Sequence, residues 1–258
     1  MSLQNYLIVE LIRFSIYLND EWRIKLEDAK RTLDEDELAY RICIRTLLYP
    51  SGISEKALEE FFRILPFKRF LDAINRGVDA YNVAISSATI VENFRPIPPG
   101  FSAFAQFMKQ LADLAIQKGE GSLIKAFRKI IQNALKEKEA ETLLKEFMKL
   151  RGIGPTLAPC LIRDLRLAGL IDIDISLVDI STAKPVLRAL KHIGLISSNL
   201  EGREAEETAK TEIRKISKKY RIAPMVLDGG LWHIGYYYCK KRLCDICPLT
   251  YVCPKIET

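Results

Sequence analysis

No run in this sequence is apolar enough to cross a bilayer. The longest apolar stretch near its start, Asn5 to Leu18, is interrupted by Glu10 and Arg13, and is too short and too charged for a hydrocarbon core of about 30 Å. A basic leader followed by a small-residue cleavage site is also missing, so an intracellular, cytoplasmic chain with no membrane partner is expected. Histidine is nearly absent: the two that occur, His192 and His233, lie on helical stretches with no neighbour in metal-ligating spacing. Runs that alternate apolar and polar residues are lacking, which excludes strand-built folds and leaves an all-α class. Neither an internal repeat nor a low-complexity tract stands out.

What is present is a chain able to bury a core. Hydrophobic residues make up 48% of its 258 positions, so disulfides are not needed for folding. Lys and Arg exceed Asp and Glu by 39 to 33, a net charge of +6 with a pI near 8.9. That balance suits a polyanionic partner, and equally a mildly basic protein that never meets one.

Helical spacing recurs over Leu3 to Leu18, Glu37 to Leu48, Glu55 to Ile64, Phe101 to Ile116, Leu123 to Leu135 and Glu139 to Leu150. Apolar residues three and four apart give each stretch one buried face. Pro50 with Gly52, Pro96 to Gly100, and Gly119 with Gly121 punctuate them; the proline-rich break reads as a surface loop. Further helices are expected over Thr156 to Leu167, from about Ser181, over Arg203 to Tyr220 and over Pro224 to Tyr238. Pro185 is tolerable only in a first turn.

Cysteine is concentrated at one end. Cys239, Cys244, Cys247 and Cys253 are separated by four, two and five residues. Four thiols so close together imply a metal, either structural zinc or an iron-sulfur cluster. Lys240, Lys241 and Arg242 fill the first interval and could face phosphates or water. Cys43 and Cys160 stand among apolar neighbours and are expected in the core.

Between two helices lies Leu150-Arg151-Gly152-Ile153-Gly154-Pro155. Glycines there permit close backbone approach, and the amides opening the second helix can grip a phosphate without reading sequence.

The order of features, this hairpin, then an Asp before a helix, then Leu231-Trp232-His233-Ile234-Gly235 running into the cysteine tail, resembles the helix-hairpin-helix DNA glycosylases of the endonuclease III and MutY type. The resemblance covers roughly residues 139–254 and more loosely 38–62, where Leu47-Leu48-Tyr49-Pro50-Ser51 is similar to the family's DNA-facing turn. It implies an all-α, two-lobed fold: residues 36–180 as a six-helix lobe with the hairpin near 139–168, and residues 1–35 with 181–258 as a second lobe carrying the cluster loop 239–253. It also implies a [4Fe-4S] cluster on the four tail cysteines, with zinc as the alternative because the first interval holds four residues where the family usually has six.

By the same resemblance the partner is double-stranded DNA, met by a monomer at the nucleoid through Gly152, Ile153, Gly154, Thr156, Tyr49 and Ser51. Tyr49 is the candidate wedge that fills the gap left by an extruded base. Bifunctional members carry a lysine where this chain has Thr156, so Schiff-base lyase chemistry is not expected. The implied activity is base-excision repair by a monofunctional glycosylase, in which Thr156 positions water and Asp179, or Asp174 in a competing alignment, is the essential carboxylate. A helix cap is the plain structural role open to Asp179. Two alternatives stand beside this: a non-catalytic DNA-binding relative, and a lyase using Lys145, Lys149 or Lys184 as a displaced amine.

Overall fold

The computed structural model of the protein describes residues 3–48, 52–95, 100–136, 140–174, 176 and 178–256, with the helical backbone alone at 135–136 and 140–141. Tyr49, Ser51 and most of the 96–100 break lie outside the described residues. Among the described residues there are twelve α-helices and no strand, as the all-α expectation required. None of these helices is long and apolar enough to cross a membrane.

The chain divides into two compact units, residues 1–25 with 174–258, and residues 26–173. The division falls inside α1 (Leu3–Thr32) rather than at its end. Helix α1 runs fourteen residues beyond the expected Leu18, because its second half lacks an apolar stripe yet carries two each of Glu, Lys and Arg, which favour helix. The i,i+3 pairs Arg23–Asp20 and Arg31–Asp28 add modest support.

The 26–173 unit is organised around α2 (Glu35–Leu48), ten of whose fourteen residues are buried. Asp34 starts it, accepting from Glu37 N at 2.7 Å. Asp36 reaches outward instead: its Oδ1 accepts from Ser122 Oγ and Ile124 N, both at 2.9 Å, and so caps α7 (Leu123–Lys136). The buried Glu37 accepts from Phe67 N, opening α4 (Phe67–Asn75), and from Arg41 Nε, both at 2.6 Å. α3 (Glu55–Ile64) begins at Ser54, whose side chain caps Ala57 N. Helix α5 (Ala80–Ile90) begins at Asp79, which accepts from Asn82 N at 2.9 Å. Neither α4 nor α5 was expected from apolar spacing, although the Asp-x-x-Asn cap was readable.

Helices α6 (Phe101–Gly119) and α8 (Ala140–Met148) complete this layer before the hairpin and α9 (Leu157–Leu167). Phe61 stacks on Phe94 at 4.8 Å and meets Phe104 edge-on at 5.6 Å. Burying each such ring stabilises the fold by roughly 1.5–3 kcal/mol.

In the other unit, Leu7, Leu11, Val186, Leu190, Ile213, Leu227, Leu231, Leu249 and Val252 share one core. They come from α1, α10 (Lys184–His192), α11 (Gly202–Tyr220), α12 (Pro224–His233) and the cysteine tail. Helix α10 begins at Lys184, three residues later than expected, with Pro185 in its first turn. Helix α12 ends at His233, and residues Ile234–Tyr238 form a π-helical turn instead of continuing it.

Candidate functional site

The cysteine tail grows out of that π turn. A Cβ on Gly235 would lie 1.8 Å from the Pro185 carbonyl oxygen, so only glycine lets the turn sit against α10. Arg188 of α10 donates to Gly235 O at 3.2 Å. Cys239 opens a 3₁₀ turn that closes on Arg242, which is left-handed at φ 55, and Cys244 opens a second. Leu249 and Val252, both buried, anchor the last loop. The chain end is tied to α10, where Ile256 N donates to His192 O at 3.1 Å and His192 Nδ1 lies 2.7 Å from Ile256 O.

All four tail thiols are free and half-buried. Burial first, then the charges of Cys247, Cys253 and Cys244, push the Cys239 thiol up to about 12, with Arg188 opposing. Burial likewise raises Cys247 and Cys253, while backbone amides at Leu249 and Lys255 act in the opposite sense; Lys255 N donates to Cys253 Sγ at 3.4 Å. In donor chemistry the four thiols are a soft, sulfur-only set of the kind that zinc or an iron-sulfur cluster takes. Among the described residues no three His, Cys, Asp or Glu side chains gather around a single-ion position.

Beside Cys239 the rings of 232–238 pack into a ladder. Trp232 stacks on Tyr236 at 4.7 Å, His233 lies 4.5 Å from Tyr237, and Lys240 sits 5.2 Å over the Tyr236 ring. Burial holds His233 below its ordinary value of 6.5, partly opposed by Glu21. The two histidines therefore serve packing and anchoring.

The stretch before α10 holds the candidate carboxylates. Asp179 is gripped on both oxygens by Arg214 of α11, Nε to Oδ1 at 2.7 Å and Nη2 to Oδ2. Its side chain is 24% exposed and that of Arg214 61%. Asp179 does not cap a helix: the cap position of α10 is Ala183, which makes no side-chain cap. Asp174 is exposed and accepts from Ser176 N at 2.9 Å, and that hydrogen bonding holds its carboxyl below the usual range. Apolar spacing and motif matching missed two residues that build this stretch. Arg214 is one; Asp228 of α12 is the other, 1% exposed, whose Oδ1 accepts from both Ser181 N and Ser181 Oγ at 2.8 Å. An Asp inside the apolar face of α12 was the available signal.

The hairpin belongs to the 26–173 unit. Gly152 is at φ 84, the left-handed region that favours glycine, and a Cβ there would also press on Leu47 Cδ1 at 2.6 Å. Ile153 plugs the turn at 2% exposure, and Ile153 N donates to Leu150 O at 3.0 Å. Gly154 O receives both Leu157 N and Ala158 N, at 3.0 and 2.9 Å. The amides of Gly152, Gly154 and Thr156 have no acceptor among the described residues. Gln110 of α6, which motif matching also missed, clamps the approach by donating to Lys149 O at 3.2 Å and accepting from Arg151 N.

Thr156 is the cap position of α9 without a side-chain cap; its carbonyl accepts from Cys160 Sγ at 3.5 Å. Cys160 is only half-buried, contrary to expectation, because it sits in the first turn of α9 beside the hairpin. Cys43 is fully buried as expected, and burial raises its thiol far above the ordinary value. Of the displaced-amine candidates, Lys149 pairs with Glu146, while Lys145 and Lys184 are exposed.

The chain matches no model of a known protein family, and none of the curated proteins matches it.

Proposed function

We propose that the protein binds duplex DNA through the glycine hairpin and acts in base-excision repair as an N-glycosylase without lyase chemistry. The observation that carries this reading is the turn around Gly152–Thr156. Three amides there have no acceptor among the described residues, on a turn packed by the buried Ile153 and clamped by Gln110. Phosphate oxygens are the acceptors such a turn suits, and the contact would be independent of base sequence.

The chemistry assigned is hydrolysis. Thr156 offers a hydroxyl and no amine, so a water positioned there would bond to the sugar C1′ as the N-glycosidic bond breaks, its proton passing to the departing base. The carboxylate that the resemblance assigns to the cationic sugar is Asp179, whose two oxygens are bound by Arg214. A [4Fe-4S] cluster bound by Cys239, Cys244, Cys247 and Cys253 would cross-link the tail. Arg188 would place a positive charge beside the thiolates.

A second reading, a non-catalytic DNA-binding relative, draws on one specific observation. Both oxygens of Asp179 are already engaged by Arg214, and the residue at the start of α10, where the resemblance puts the carboxylate, is Ala183. End-labelled duplexes carrying uracil, thymine opposite guanine, 8-oxoguanine, hypoxanthine or an alkylated base separate the readings. Breaks that appear only after hot alkali and vanish in Asp179→Asn establish the monofunctional glycosylase. Tight, salt-dependent binding without product on any lesion establishes the other reading. A borohydride-trapped adduct would instead reveal a displaced lysine.

A further inference from the structure

We infer that a groove between α6, α7 and α8 is a second anion site, shaped for a phosphate-bearing ligand. It encloses about 540 Å³ and continues into a smaller cavity of about 190 Å³ along α6 and α8. Its walls carry Lys118 from the last turn of α6, Lys129 and Asn133 one turn apart on α7, and Lys149 just past α8, with Gln117 at the rim. Among the described residues that line it there are three lysines and one carboxylate, Glu146.

The partners of these groups show where an anion would be held. Lys149 is paired with Glu146, and Lys129 with Glu120, whose side chain is 69% exposed. Lys118 has no carboxylate partner among the described residues, and the side-chain amides of Gln117 and Asn133 make no hydrogen bond among them. Lys118 and the side-chain amides of Gln117 and Asn133, all exposed, thus line one groove together with Ile130 and Ala134, both buried. The groove thus offers one ammonium and two amide groups in a space of about 540 Å³. They suit the several oxygens of a phosphate ester or diphosphate, and the apolar floor suits a sugar or base attached to it.

The groove is also wired to the hairpin. Its narrow end is lined by Gln110, Lys149 and Leu150, and Gln110 is the residue that clamps Lys149 O and Arg151 N. A ligand here would brace the clamp that holds the three free amides. The phosphate could be free in solution or belong to the flank of a bound duplex.

Isothermal titration of the whole protein with inorganic pyrophosphate at low salt tests the site without assuming that DNA binds. One-to-one binding, weakened at least about tenfold by Lys118→Gln/Asn133→Ala and unchanged by the exposed control Lys68→Gln, supports a free phosphate ligand. If pyrophosphate does not bind, 12- and 24-base-pair duplexes identify the other source. The double variant should then weaken only the longer duplex and lower its salt slope by about 0.9, one phosphate contact. If pyrophosphate does not bind and the salt slope on the longer duplex is unchanged, the inference is overturned. A wild-type protein that binds no duplex at all would defeat the proposed function alone, and pyrophosphate would then decide the groove by itself.

Discussion

Replacing Gly235 with alanine puts a methyl group where the structure has no room for one. The added Cβ would lie 1.8 Å from the Pro185 carbonyl oxygen, 2.6 Å from its carbonyl carbon and 3.0 Å from its Cα. Ordinary contact begins near 3.4 Å, so the π turn and α10 must separate by 3.4 − 1.8 = 1.6 Å. Overpacking a core costs typically about 1–3 kcal/mol when side chains can yield. Here the obstacle is backbone, which places the expected cost at about 3 kcal/mol, and the Arg188 bond to Gly235 O, worth about 1 kcal/mol, is strained with it.

Both tryptophans, Trp22 and Trp232, belong to the 1–25/174–258 unit, so their fluorescence during urea unfolding reports on the affected unit. At about 1–3 kcal/mol per molar urea, Gly235→Ala should lower the midpoint by about 1–3 M. Gly154→Ala, whose Cβ meets nothing within 4 Å, is the control and should leave the midpoint in place. A Gly235→Ala midpoint equal to wild type would refute the close approach of α10 and the turn.

Three further outcomes follow from the same contacts. Asp228→Ala leaves Ser181 N and Oγ without their acceptor and should cost about 2–5 kcal/mol in urea unfolding, whereas Asp228→Asn, which keeps an acceptor oxygen, should cost clearly less. Arg214→Ala breaks an exposed pair and should change stability by under about 1 kcal/mol. On a lesion that is excised it should raise the rate, since Asp179 then offers its full charge to the cationic sugar; a lost rate would instead make Arg214 a positioning group. Acid should weaken the His233-bearing unit. Because burial lowers this histidine below 6.5, the unfolded chain takes up the proton first, so stability is complete above pH 6.5 and declines as pH falls through the folded value. His233→Gln should flatten that decline in midpoint measured against pH.

Much of the helical layout was legible because each amphipathic stretch needs only its own neighbours to show a buried face. The stretches that escaped lacked that signal. The second half of α1 is helical through propensity and charge spacing, and α5 has an apolar content too even to show a stripe. The hairpin was readable from two glycines and a proline, but its rigidity comes from Leu47 and Gln110, roughly 105 and 40 residues earlier in the chain. Likewise the clustering of the four cysteines was legible from their spacing, while Arg188 beside Cys239 is visible only in three dimensions.

By itself the sequence determined the helical class, the position of the glycine turn and the clustering of thiols, since these depend on residues adjacent in the chain. The tertiary structure alone decided which groups complete them. Arg214 meets Asp179 across 35 residues, Asp228 meets Ser181 across 47, and α10 starts at Lys184 behind Ala183 instead of behind an Asp. Such pairings arise when separate helices pack and bring their side chains within bonding distance, and no local pattern of residues encodes them.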